Sequence, residues 1–144
     1  MSGIVKYKLV GLDTNIFIYH FEDNQQFAYY TQPIFEGLSK GKFKAVTSVV
    51  SVIEALSYPS PQDILTNIEE GFKTTPNLTI CDVDHHLAIE AAKIRRNYGF
   101  RLPDSVQLAT ALKSKAQAFI SNDDRLKRFK ELPIILLRKD IRMT

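Results

Sequence analysis

Short apolar runs alternate with stretches of helical periodicity along the whole chain, and this alternation constrains the fold more than any other feature. Residues 7–12 (YKLVGL), 43–47, 78–83, 118–121 and 134–137 read as strands. Between the first two, Asp13-Thr14-Asn15 reads as a turn that opens a helix, because all three side chains can cap one. Residues 28–38 put Ile34, Phe35 and Leu38 on one helical face, with Pro33 as a candidate break. Residues 48–57 read as a short helix and Tyr58-Pro59-Ser60-Pro61 as a loop. Ile64, Leu65, Ile68 and Phe72 make residues 62–72 amphipathic. Leu87, Ala91 and Ile94 form another helical stripe, which Gly99 ends. Residues 105–115 carry Leu108, Ala109 and Leu112 inward, and 123–129 read as a last helix. Strands separated by helices cannot pair as hairpins, so the expected fold is α/β: a central, mainly parallel sheet with helices on both faces. At 144 residues, one domain over 1–144 has enough chain for a core.

In such sheets ligands bind beyond the carboxyl ends of the strands. Asp13 follows the first strand directly. Glu54 lies one to two turns into the helix after the second. Asp104 opens a helix at Leu102-Pro103-Asp104-Ser105, and Asp123 lies just past residues 118–121. A parallel sheet can bring all four to one rim. Carboxylates converging there repel, and some are forced to stay protonated unless a cation joins them. Mg²⁺ suits such a site, since it prefers oxygen ligands and needs only one or two direct carboxylates.

Each acid also has a plain structural role open to it. Asp13, Asp104, Asp123 and Asp124 stand where they could cap helices, and Asp104/Gln107 and Ser51/Glu54 have capping-box spacing. Glu54 fits that role least, because Val52, Ile53, Ala55 and Leu56 around it are apolar and a half-buried carboxylate needs a partner. On spacing alone, capping and a shared site both stand.

The same residues resemble the PIN-domain family, and in particular the toxin ribonucleases of VapBC-type toxin–antitoxin pairs. Leu12-Asp13-Thr14-Asn15 resembles the family's opening motif, and residues 47–54, ending in Glu54, its second. Residues 102–111 (LPDSVQLATA) resemble the third and are the most specific stretch, and Ile120-Ser121-Asn122-Asp123 resembles the fourth. The resemblance runs from Leu9 to about Leu137. It implies a metal-dependent endoribonuclease in which Asp13, Glu54, Asp104 and Asp123 hold Mg²⁺ or Mn²⁺, with Asn15 and Ser121 as polar support. It also implies an RNA substrate, a homodimer and, for a toxin, a small antitoxin partner. Asp124 is a second acid beside Asp123, and the spacing from Ser121 favours Asp123. A PIN-domain nuclease of housekeeping RNA processing or decay, and a non-catalytic binding module, are the alternatives.

Composition narrows the field further. The apolar runs at 48–53 and 134–137 are too short to span a bilayer, and residues 1–6 lack the pattern of a secretory leader. Cys81 stands alone, which fits a reducing cytoplasm and excludes cysteine-rich zinc sites. His85 and His86 are adjacent and point to different sides of a helix, so they do not suit one metal. Sixteen acids less the four at the strand ends leaves twelve against nineteen Lys and Arg, a surplus suited to RNA phosphates. Basic groups fall at Lys93/Arg95/Arg96/Arg101, Lys127/Arg128/Lys130 and Arg138/Lys139/Arg142. Phe17, Tyr19, Phe21, Phe27, Tyr29 and Tyr30 are expected mostly in the core or an interface. A haloacid-dehalogenase-like phosphatase needs a second Asp where Asn15 stands. A receiver domain needs a Lys that does not follow residues 118–121.

Overall fold

The computed structural model describes residues 6–22 and 24–140, without the side chains of 139 and 140. Arg142 and the side chain of Lys139, in the third basic group, lie outside the described residues. One sheet contains β1 (Leu9–Leu12), β2 (Lys44–Ser48), β3 (Leu78–Cys81), β4 (Ala118–Ser121) and β5 (Ile134–Leu136), in the order β3-β2-β1-β4-β5. Every neighbouring pair is parallel, so the sheet goes further than the mainly parallel one expected. The chain steps outward from β1 through β2 to β3, then crosses back to β4 and β5. The direction therefore reverses between β1 and β4, and such a switch point leaves a crevice at the carboxyl ends of the two strands.

The helices are α1 (Thr14–Phe21), α2 (Ala28–Ser39), α3 (Val49–Ser57), α4 (Gln62–Thr74), α5 (His85–Tyr98), α6 (Leu102–Lys113) and α7 (Leu137–Asp140), with a 3-10 helix at Asp124–Arg128. Alternation along the strands sorts the core into two layers. Val10, Leu12, Ala118, Ile120 and Ile135 pack with Ile16, Phe17, Ile34, Leu38, Ile68 and Phe72. Phe119, Ile134 and Leu136 face the opposite way, onto Leu87, Ile94, Leu108 and Leu126. Of the aromatic group near α1 and α2, Phe17 and Phe27 are buried, Tyr19, Phe21 and Tyr30 pack against the first layer, and Tyr29 faces outward. His85 and His86 are exposed. No helix among the described residues is long and apolar enough to cross a membrane.

Three local departures have physical causes. Helix α2 runs through Pro33 without a break. A mid-helix proline costs about 3 kcal/mol, but the same helix buries Ile34, Phe35 and Leu38, each worth about 1.5–3 kcal/mol. Helix α6 starts at Leu102, three residues before the expected 105, because Pro103 in its first turn gives up no needed hydrogen bond. After β4 the chain makes a 3-10 helix rather than an α-helix, just long enough to bury Leu126 before β5.

Gly11 places α6. A Cβ there would stand 2.7 Å from Phe119 Cδ1 and 2.9 Å from Ala111 Cβ. Only glycine lets α6 lie this close over β1 and β4, with its N-terminal turn at the switch point.

Candidate active site

Asp13 sits where β1 hands over to α1. Its backbone N–H donates to Ile120 O at 3.0 Å, which ties the start of α1 to β4. Its Oδ1 accepts from Thr14 N at 2.9 Å, so it does cap α1. Its Oδ2 accepts from Ser121 Oγ at 2.7 Å, a bond that capping does not call for. Asp13 is only 6% exposed. Burial first, then the charges of Asp104 and Glu54, push its pKa from 3.8 up to about 6, against the pull of the Ser121 and Thr14 hydrogen bonds.

Glu54 lies inside α3, whose cap is Ser48, so Ser51 and Glu54 form no capping box. Glu54 Oε1 accepts from Thr14 Oγ1 at 2.6 Å. Asp104 lies within the first turn of α6, and the N-cap position belongs to Arg101. Capping therefore does not account for Asp104, which is 5% exposed and receives Arg101 Nε on Oδ2 at 3.0 Å. Asp123 caps the 3-10 helix through Arg125 N. Its backbone N–H donates to Ser121 Oγ at 3.0 Å, so one buried serine touches both Asp13 and Asp123. The Arg125 guanidinium holds Asp123 below the usual carboxylate range.

These four acids, Asn15 and Arg101 line one cavity of about 180 Å³ at the switch point. Asp124 is exposed and not part of the lining, which separates it from Asp123. Ile18 and Tyr58 complete the wall, and Tyr58 is 67% exposed.

Beneath the cavity lies a buried polar network that sequence reasoning did not find. Gln107 Nε2 donates to Ser51 Oγ at 2.5 Å and Thr14 Oγ1 at 3.3 Å. Its Oε1 accepts from Ser48 N at 3.3 Å and lies 3.3 Å from Thr47 Oγ1. Thr47 in turn donates to Leu12 O at 3.0 Å. The network thus joins β1, β2, α1, α3 and α6, and it steers the Thr14 hydroxyl onto Glu54. Its one sequence signal was the three-residue step from Asp104 to Gln107, which puts both on one helix face.

The donor set of the cavity is all oxygen, with neither histidine nor cysteine, which suits Mg²⁺ or Mn²⁺ rather than zinc. Among the described residues no group of three or more acid, histidine or cysteine side chains is disposed to hold an ion as it stands. Mg²⁺ keeps several waters and takes one or two carboxylates directly, so the residues present fit it. The buried Asp13, strained by two like charges, is the side chain a cation would relieve most.

The family model described as the PIN domain matches residues 10–132, a span that holds all four acids. Among solved structures the chain is similar to VapBC2 from Rickettsia felis bound to a DNA fragment from its promoter. The TM-score is 0.69 and the identity 18%, covering 88% of this chain and 96% of that one. It is also similar to a toxin–antitoxin complex from Klebsiella pneumoniae, with TM-score 0.63, 19% identity, and 88% and 95% of the two chains covered. FitAcB from Neisseria gonorrhoeae gives TM-score 0.64 and 14% identity, over 90% of this chain and 99% of that one. At these identities the likeness is one of fold. No curated protein matches the chain by sequence.

Proposed function

The chain belongs to the PIN-domain family, and from that premise we propose that it is a Mg²⁺- or Mn²⁺-dependent endoribonuclease acting as the toxin of a toxin–antitoxin pair. The observation that carries the proposal is the convergence of Asp13, Glu54, Asp104 and Asp123, from four separate segments, on one cavity at the switch point. Helix capping accounts for two of them at most, and for neither Glu54 nor Asp104.

Asp13, Glu54, Asp104 and Asp123 would hold the ion. When bound, it lowers the pKa of a water and offsets charge on the phosphodiester in transition. Ser121 keeps Asp13 and Asp123 in fixed relation by bonding to both. Thr14, held by the Gln107 network, fixes the rotamer of Glu54. Asn15 is exposed on the cavity rim, where its amide can donate to a phosphate oxygen. Tyr58 offers an exposed ring on the same wall for a base to stack against.

The toxin part of the proposal is supported by neighbours that are themselves toxin–antitoxin complexes, and so is the antitoxin partner. A homodimer belongs to the same proposal and is read by sedimentation. One observation favours a binding module without catalysis: arginines already occupy Asp104 and Asp123. RNA cleavage by the purified wild-type chain separates the two, since a binding module gives none. Within the nuclease reading Asp104→Asn abolishes that cleavage, and cleavage by the variant at the wild-type rate overturns the assignment.

A further inference from the structure

Asp104 and Asp123 are not simply open to the cavity. Arg101 reaches both oxygens of Asp104, Nε to Oδ2 at 3.0 Å and Nη2 to Oδ1 at 3.5 Å. Arg125 grips Asp123 more closely, with Nε at 3.0 and 3.2 Å from the two oxygens and Nη2 at 2.6 Å from Oδ2. A carboxylate whose oxygens both face a guanidinium has its best lone pairs taken. A cation and these arginines therefore compete for the same atoms.

The arginines are built to lose that competition cheaply. Their side chains are 62% and 61% exposed, while the side chains of the acids they hold are 7% and 18% exposed. An exposed guanidinium leaves its partner without burying charge elsewhere, and such pairs are weak. There is also a place for them to act. A second cavity of about 120 Å³ adjoins the first, shares Arg101 and Asp104 with it, and is lined by Arg125 and Arg128 as well. Arg128 is already fixed there. Its guanidinium lies 4.7 Å from the centre of the Phe100 ring, and Nη1 donates to Tyr98 O at 2.8 Å. Three arginines around one small cavity beside an acidic one match a phosphate next to the scissile phosphate, since a guanidinium pairs with two phosphate oxygens at once.

We propose that Arg101 and Arg125 are internal counter-ions for Asp104 and Asp123, and that a divalent cation at those carboxylates frees them to bind the neighbouring phosphate of an RNA strand in the adjoining cavity. This rests on the metal-nuclease reading above. Arg128 binds the same phosphate but plays no part in the exchange, because it touches neither acid. Charge is conserved through the exchange: the cation takes over the carboxylates, and the RNA backbone takes over the arginines.

The test compares the full chain with its Arg101→Gln, Arg125→Gln and Arg128→Gln variants in two titrations. The first is Mn²⁺ alone, read by calorimetry. The second is a short single-stranded RNA in a Glu54→Gln background that blocks turnover, with Mn²⁺ at a level that calorimetry on that background shows to be saturating, read by anisotropy over a range of salt. Arg101→Gln and Arg125→Gln should each bind Mn²⁺ at least about twofold more tightly, the least expected when one partner of the pair is buried. Arg128→Gln should leave Mn²⁺ affinity unchanged. All three should bind RNA more weakly, each with a salt dependence shallower by roughly one ion. Mn²⁺ affinity that is unchanged or weaker in the Arg101 and Arg125 variants overturns the exchange and leaves two local surface pairs. RNA binding that is absent, or equal in all variants, overturns the phosphate site. Failure of the wild-type chain to bind Mn²⁺ is a different result, and it overturns the metal-nuclease reading itself.

Discussion

Asp13 shows how much a single residue can be asked to do. It caps α1, accepts a hydrogen bond from the buried Ser121 and carries a pKa of about 6 instead of 3.8. A shift of about two units corresponds to roughly 3 kcal/mol between the two protonation states. For an acid with a raised folded pKa, the folded state binds the extra proton between the two values. Asp13 therefore adds no penalty below about pH 4, destabilises progressively as pH rises to about 6, and keeps that full penalty above it. In chelator, Asp13→Asn removes the penalty but has only one oxygen for two hydrogen bonds, and a lost bond costs about 1 kcal/mol. The variant is expected to be about 1–2 kcal/mol more stable at pH 7.5. Its advantage should shrink as pH falls through 6 toward 4, as read by urea unfolding of both proteins across that range. The candidate acids were legible in the sequence because strand ends could be counted. Their separation from ordinary caps was not, since it depends on where α6 starts and on which hydroxyl meets Glu54. The pairing of Arg101 and Arg125 was equally hidden: each stands within three residues of its acid, where spacing alone does not decide orientation.

At the scale of elements, short apolar runs and helical patterning located every strand and most helices, with ends off by at most three residues. Packing overrode local signals at Pro33, and a short connection overrode them after β4. What no pattern could show is the network through Gln107, because its partners lie 56 to 93 residues away along the chain. Replacing Gln107 by Leu leaves the buried Ser48 N–H without this partner and takes one bond each from the Ser51 and Thr14 hydroxyls, which keep their contacts with one another and with Thr47 and Glu54. At about 1–3 kcal/mol for each group left unpaired, with partial rescue among the hydroxyls, a loss of about 2–4 kcal/mol in denaturant unfolding is expected. Gly11→Ala tests the seating of α6 over the sheet. The new methyl meets Phe119 and Ala111 inside 3 Å, and overpacking of this kind costs about 1–3 kcal/mol. It should also lower cleavage through a displaced Asp104, whereas a stability loss with full activity would mean that α6 can shift without moving the acid.

For the whole molecule, strand order does the positioning. Because the chain reverses direction between β1 and β4, Asp13 and Asp123 stand at adjacent strand ends, and α3 and α6 bring Glu54 and Asp104 in from opposite faces of the sheet. The fold class could be argued from sequence, but the order of the strands could not, since it is a property of crossovers and not of local pattern. An acidic cavity within a net basic chain also suggests how a toxin would be silenced. An arginine of the antitoxin, entering as Arg101 and Arg125 do from within, would pair with the acids and exclude the ion. Expression of the chain alone should then slow growth in its native host, and co-expression with the antitoxin should restore it. Asp13→Asn should relieve the toxicity and weaken antitoxin binding; normal growth with the unpaired chain would leave a housekeeping nuclease as the better account. The central claim is that four carboxylates work through a divalent cation. The direct test is cleavage of an end-labelled RNA by the purified wild-type chain, first in chelator and then with Mg²⁺ or Mn²⁺ restored in excess. The account requires that cleavage stop in chelator and return with either ion; undiminished cleavage in chelator would contradict it.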